Sequence, residues 1–321
     1  MIEFIKESFC IVASDGYEIA CHHWRPDPLV KNTTGRVLLL HGIQSHAGWY
    51  EHLGETLAKQ GVEVLMPDRR GSGANQLDRG HASSSRRLIC DLDETLSACG
   101  WDNGLLAPVL AGISWGGKLA VIAAAKRPSA YSGLALVAPG LFAKVRPPRL
   151  TQIAIALSAL IMPRKQFDIP LSDPALFTSN QVRQNFIATD AKMLHQATAR
   201  FFIVSRSMDL QLRRAGKRLK RQVLLQLAEH DRIVNNNKIR AYVERSQAPT
   251  KKIITYPDSH HTLEFENGPV ADQYAMDLAL WVMETCHFPA DWKSESLIDE
   301  SGQSGQSGLP LVKRPIIAAK S

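Results

Sequence analysis

The residue whose surroundings most invite chemistry is Ser114, in "VLAGISWGGKLAVIAAAK" from Val109 to Lys126. It stands between Gly112 and Gly116, with Gly117 next, where a short apolar run gives way to helical spacing. A serine on a tight strand-to-helix turn needs neighbours without Cβ atoms. Such a turn lifts the hydroxyl clear of a sheet and toward a helix N-terminus, where developing negative charge is favoured. Taken alone, the glycines also fit a turn used only for packing. A catalytic reading needs two partners, because a serine hydroxyl is a weak nucleophile: a base to take its proton and an acid to orient that base.

Both partners stand in the chain order that this kind of turn uses, serine, then acid, then histidine. Asp231 directly follows the apolar run "QVLLQLAE", and His261 follows "KKIITYP" in "DSHHTLEFE". Each is expected at the carboxyl end of a strand, the edge on which the serine turn opens. His260 is the alternative base. Asp258 is a rival acid, better suited to shaping the turn before His261, and His230 reads as a surface neighbour of Asp231. The chemistry also needs donors for an oxyanion. The run "GRVLLL" ends in "HGIQSHAGWY", so His41 and Gly42 bring backbone toward the serine, and the expected donors are the N–H groups of Trp115 and Ile43. His41 itself reads as a brace beneath this loop.

The elements that must hold these residues are legible as alternating patterns. Two β-like runs flank Asp15-Gly16, a hairpin signature. The apolar runs "GRVLLLHG", "GVEVLMPD", "APVLAGIS" and "SGLALVAPG" are each followed by helical spacing, and the alternation resumes with "RQVLLQLAEHD", "KKIITYPDSHH" and the amphipathic "VADQYAMDLALWVMET". Continuous apolar strands alternating with helices predict an α/β fold, with a mostly parallel sheet covered by helices on both faces. The rhythm breaks between Pro139 and Arg221, far longer than a plain crossover. We expect a core of residues 1–141 and 222–292, a helical cap inserted at 142–221, and a flexible Ser/Gly/Gln-rich tail at 293–321.

Composition narrows the classes. The 321 residues are 45% hydrophobic and 21% charged, as in ordinary globular proteins, with a formal net charge of +7. No nucleic-acid module accompanies that charge, so nucleic acid is not an expected partner. The basic run "RRAGKRLKR" reads as a solvated helix face, with attraction to anionic lipid as the lesser alternative. The stripe "IAIALSALIMP" is too short to span a bilayer, which needs about 20 residues. It suits a buried cap-helix face, an acyl pocket lining or peripheral membrane contact. The five scattered cysteines (Cys10, Cys21, Cys90, Cys99 and Cys286) suit reduced thiols in the cytoplasm. No metal-ligand cluster or dinucleotide-binding glycine pattern is present, and no cofactor is expected.

With Ser114, Asp231 and His261 in hand, the chain resembles the serine α/β-hydrolases, in particular their monoacylglycerol lipase and lysophospholipase branch. The resemblance runs from about Val12 to Trp281. It rests on His41, Gly42, His46 and Tyr50, and on "PDRRGSGANQLDRGH" with Asp68, Arg70, Gly71 and Gly73. Family members also carry a glutamate five positions after the catalytic histidine, which selects His261, with Glu266, over His260. The resemblance implies an α/β-hydrolase fold, a triad of Ser114, Asp231 and His261, and a mobile cap over an acyl-chain groove. Hydrolysis of a small apolar acyl ester is the implied activity. A thioesterase or acyltransferase working on a carrier-bound acyl group is the alternative, and a non-catalytic ligand-binding protein the outlying one. Trp115 departs from the smaller side chain usual after the nucleophile, which predicts a narrowed acyl pocket.

Overall fold

The computed structural model describes residues 3–102 and 107–286, together with the backbone of the strand Lys313–Pro315. Nine strands among the described residues form one sheet, ordered β10-β9-β6-β5-β3-β4-β2-β1-β11. The hairpin read from Asp15-Gly16 pairs β1 (Phe4–Val12) with β2 (Glu18–Pro26), with Gly16 at φ 79° in the turn. The strands β3 (Gly35–Leu40), β4 (Val62–Pro67), β5 (Val109–Ile113), β6 (Gly133–Val137), β9 (Val223–Ala228) and β10 (Lys251–Tyr256) run parallel. Every residue of β3, β4, β5, β6 and β9 is buried, as strands covered on both faces must be.

Right-handed crossovers decide which face each helix covers. From β3 the chain passes through α1 (Glu51–Lys59) to β4 on one side. It then returns through α2 (Ser85–Ala98) to β5 on the other and continues outward through α3 (Trp115–Lys126) to β6. The reversal puts α1 and the terminal α8 (Val270–Thr285) together on one face, while α2 and α3 pack on the opposite one. The sheet's topological switch point lies between β3 and β5. The crevice beyond their carboxyl ends is where such sheets hold ligands, and it falls between His41-Gly42 and Ser114.

Between β6 and β9 the chain adds α4 (Arg149–Ile161), α5 (Gln181–Thr189) and α6 (Ala199–Ala215). It also adds a two-stranded ribbon, β7 (Gln166–Asp168) with β8 (Gln196–Thr198), so this segment is not purely helical. Three-residue strands are too short to leave a period-two pattern in a sequence. Helix α6 is fastened to the core: its N-cap Thr198 accepts the Phe201 N–H, Phe201 stacks on Trp115, and Asp209 pairs with Lys118 of α3 at 2.5 Å. A last helix, α7 (Asn236–Glu244), follows β9. Of the tail expected at 293–321, all but the strand Lys313–Pro315 lies outside the described residues; that strand, β11, pairs antiparallel with β1.

Candidate active site

The turn at Ser114 explains its glycines. Ser114 adopts φ 50° and ψ −121°, a conformation that costs a side-chain-bearing residue about 1–3 kcal/mol. It is held there from both sides: its N–H donates to the Val137 carbonyl, and its own carbonyl accepts from Gly117 N and Gly140 N. A Cβ at Gly112 would lie 2.6 Å from Gly117 Cα, and one at Gly116 would lie 2.6 Å from the His41 carbonyl oxygen. The turn therefore closes only without side chains at these two positions.

The loops after β9 and β10 bring the other two residues to the same rim. The Ser114 hydroxyl donates to His261 Nε2 at 2.8 Å, and His261 Nδ1 donates to Asp231 Oδ2 at 2.7 Å. The tautomer follows from Asp231, since an ionised carboxylate only accepts, which leaves Nε2 free to take the serine proton. The second Asp231 oxygen accepts from the N–H groups of Ile233 (2.8 Å) and Val234 (2.9 Å), so the carboxylate cannot swing away. Asp231 and His261 are both buried. His260 points elsewhere, its Nδ1 3.5 Å from Glu266, so the glutamate five residues after His261 faces His260 instead. Asp258 stands exposed beside His230.

The loop after β3 is built as carefully. Buried His41 donates from Nδ1 to the Gly42 carbonyl at 2.8 Å and accepts the Arg69 backbone N–H at Nε2, also at 2.8 Å. Burial and the Arg69 cation push its pKa down to about 3, so it is neutral, as both bonds require. The Gly42 N–H is taken by Ser45 Oγ, which meets the Tyr50 hydroxyl. Sequence reading passed over Arg69. Its guanidinium donates to the carbonyls of Gly42 and Ile43, both at 2.9 Å, and lies 4.8 Å from the Trp115 ring centroid. In a planar trans peptide the Ile43 N–H points opposite to the Gly42 carbonyl, so Arg69 and His41 together fix its direction. The adjacent Arg70, which carried part of the family resemblance, instead pairs with Asp91 and Asp15, and Asp68 accepts from Ala47 N and Ala74 N. These residues fix loops.

Ser114, Ile43 and Trp115 line a cavity of about 830 Å³, walled mainly by apolar side chains of the core, α4 and α6. Trp115 does not close it. The indole is folded back, stacked on Phe201 with its Nε1 donating to Ser205 Oγ at 3.0 Å. The narrowing expected from its size is thus absorbed by α6. Phe177, from the segment between β6 and β9, sits edge-on to the His261 ring at 6.2 Å, and the Thr262 N–H donates to its carbonyl. Nothing in the sequence marked Phe177, since an aromatic residue in an irregular stretch has no pattern around it.

Over residues 31–268 the chain matches the family described as serine aminopeptidase, S33. It belongs to that family. A relative, the monoglyceride lipase of Rattus norvegicus, is 24% identical over 274 residues, covering 85% of this chain and 89% of its own. Among solved structures, the monoacylglycerol lipase of Paleococcus ferrophilus superposes with a TM-score of 0.74 at 22% identity, over 84% of this chain and 99% of that one. A soluble variant of the Saccharomyces cerevisiae monoglyceride lipase, in complex with a substrate analog, gives 0.77 at 20% identity, over 87% and 95%. The fold of this S33 family member is that of the α/β-hydrolases.

Proposed function

We propose that the chain hydrolyses the carboxylic ester of an acyl lipid, of the monoacylglycerol or lysophospholipid kind, through an acyl-enzyme on Ser114. The observation that carries this reading is the continuous hydrogen-bonded line from Ser114 through His261 to Asp231 at 2.8 and 2.7 Å, opening into an apolar cavity. Ser114 Oγ attacks the ester carbonyl carbon as His261 Nε2 takes its proton. The resulting imidazolium is held by Asp231. The carbonyl oxygen, now negative, sits against the N–H groups of Trp115 and Ile43, each such donor contributing roughly 3–4 kcal/mol in the transition state. The carbon–oxygen bond to the alcohol then breaks, and His261 returns its proton to the leaving oxygen. Water adds to the acyl-enzyme by the same route in reverse: His261 takes one water proton, the oxygen bonds to the acyl carbon, and Ser114 recovers its proton as the acid departs. Gly112, Gly116, His41 and Gly42 support the geometry, and no cofactor takes part.

The names of the relatives support an acyl ester as substrate. Residues 142–221 serve, on this reading, as the cap over a core of 1–141 and 222–292. Helix α4 supports peripheral membrane contact by that cap: Leu150, Leu160 and Ile161 are each more than four-fifths exposed. No helix among the described residues is long and apolar enough to cross a membrane. No disulfide joins the five cysteines among the described residues, which suits a reducing, cytoplasmic setting. The test is release of oleate from 1-oleoylglycerol by the wild type and by Ser114→Ala. Turnover lost in the variant is the expected result. Failure to cleave any acyl ester, or full activity in the variant, would overturn the reading.

A further inference from the structure

The apolar cavity has a cationic rim that a neutral acylglycerol does not call for. Among the described residues its lining includes Lys118, Arg146, Arg206, Arg213, Lys217 and Arg245, against the single carboxylate of Asp209. That carboxylate is already committed, to Lys118 at 2.5 Å and Arg206 at 3.4 Å. Among the described residues, Arg146, Arg213, Lys217 and Arg245 make no ion pair; Arg146 and Arg245 donate only to nearby backbone carbonyls. Like charges crowded at an apolar mouth repel one another, and low-dielectric walls strengthen the field they project. Buried Lys118 feels it: desolvation pulls its pKa down, and Arg206 and Arg146 add to the pull against Asp209.

The arrangement is selective within the basic run. Arg206 and Arg213 stand seven residues apart on one face of α6, and Lys217 lies in the short 3₁₀ turn Gly216–Arg218 that continues it. That face borders the cavity, whereas Arg214, Arg218 and Lys220 do not line it. Helix α4, the exposed apolar element, carries only Arg149 as a charge. The cations thus gather at the cavity and not across the apolar surface, which favours a bound substrate over an anionic membrane as their partner.

We propose that this rim is a subsite for a phosphoryl group carried on the alcohol or thiol part of the substrate, so that the enzyme prefers phosphate-bearing acyl esters or thioesters to neutral ones. The inference rests on the ester hydrolysis proposed above. Planar guanidinium groups bind phosphate through paired N–H donors, and several unneutralised cations around one opening hold its double charge. The phosphoryl source can be a lipid headgroup or an acyl carrier; the chemistry at the rim is the same.

The experiment compares kcat/KM for 1-oleoylglycerol, 1-oleoylglycerol 3-phosphate and oleoyl-coenzyme A, each below its critical micelle concentration. At least one phosphorylated substrate is expected to win by about tenfold or more, with the preference shrinking as salt rises. In the double variant Arg213→Gln with Lys217→Gln the ratio should collapse toward one, while Arg214→Gln with Arg218→Gln, outside the cavity lining, should retain it. Which of the two phosphorylated substrates wins identifies the source. Equal rates for neutral and phosphorylated substrates would overturn the proposal. So would a preference surviving the first double variant, or one appearing only on vesicles of anionic lipid. Calorimetric binding of monododecyl phosphate and of a neutral dodecyl glycerol ether to Ser114→Ala protein separates the two readings. Tighter phosphate binding, lost in the Arg213/Lys217 double variant, without cleavage of any ester would keep the subsite and remove the esterase. Ester cleavage with no phosphate preference in rate or binding would do the reverse.

Discussion

Helices α3 and α4 differ by one residue in length and are similarly apolar, yet they live in opposite surroundings. Of the twelve residues of α3, all but Ala125 and Lys126 are buried, whereas of the thirteen in α4 only Ile155 is. Helix α3 starts at the Ser114 turn, is walled by the sheet on one side and by α2 and α6 on the other, and its position is fixed by the glycine contacts beneath it. Helix α4 touches α6 and the cavity along one edge and turns Leu150, Leu160 and Ile161 outward. An apolar stretch therefore states that something must cover it, but not what. For α3 the cover is the protein itself. For α4 the proposed cover is a lipid surface.

The contrast can be attacked from its rigid end first. Ser114→Ala and Asp231→Asn should each lower kcat/KM for an acyl ester by about 10⁴-fold or more while the circular dichroism spectrum is unchanged. Steady-state kinetics decide it, and a loss below tenfold in either would detach that residue from the reaction. Gly116→Ala comes next. Its new methyl would sit 2.6 Å from the His41 carbonyl, and we expect about 1–3 kcal/mol less stability by urea unfolding, together with lost activity. An unchanged midpoint would mean that the turn relaxes more easily than its packing implies.

The loop beneath α3 adds a pH dependence. Native His41 titrates at about 3 against an ordinary 6.5, so as pH falls the unfolded chain takes up the proton first. Its contribution to stability is therefore complete above about 6.5 and lost progressively toward 3. Unfolding free energies measured at pH 7.5, 6 and 5 should decline, and His41→Asn should show a shallower decline from a lower starting point. The smallest effect is expected at the other helix. Leu160→Asp with Ile161→Asp on α4 should change stability by no more than about 0.5 kcal/mol per site, as for exposed positions generally. Binding to lipid vesicles in a flotation assay should fall, with turnover of a soluble p-nitrophenyl ester kept. A large drop in thermal midpoint would show that α4 is covered by protein after all, and would dissolve the comparison.

The same contrast marks how far the sequence could be read. The parallel strands were legible because burial on both faces leaves unbroken apolar runs between glycine and proline stops, as in "GRVLLLHG" and "SGLALVAPG". Ser114 and Asp231 were legible because each follows such a run, His261 because it follows the less buried β10, and strand ends at one edge are near one another by construction. Arg69 was not, since its guanidinium acts on backbone carbonyls, which carry no side-chain signature. The β7–β8 ribbon and Phe177 were missed because their positions come from the packing of the segment between β6 and β9 and not from any local period. Trp115 was seen but its direction was not. A rotamer set by Phe201 and Ser205, some ninety residues on, is a tertiary fact.

On this reading Ser114 is an activated nucleophile. Mass spectrometry of the intact protein after a fluorophosphonate probe, followed by peptide mapping, addresses it most directly. One adduct per chain is expected, carried on Ser114, with none in Ser114→Ala or at useful rates in His261→Ala. No adduct on the wild type, or an adduct on another residue that persists when Ser114 is replaced, would contradict it.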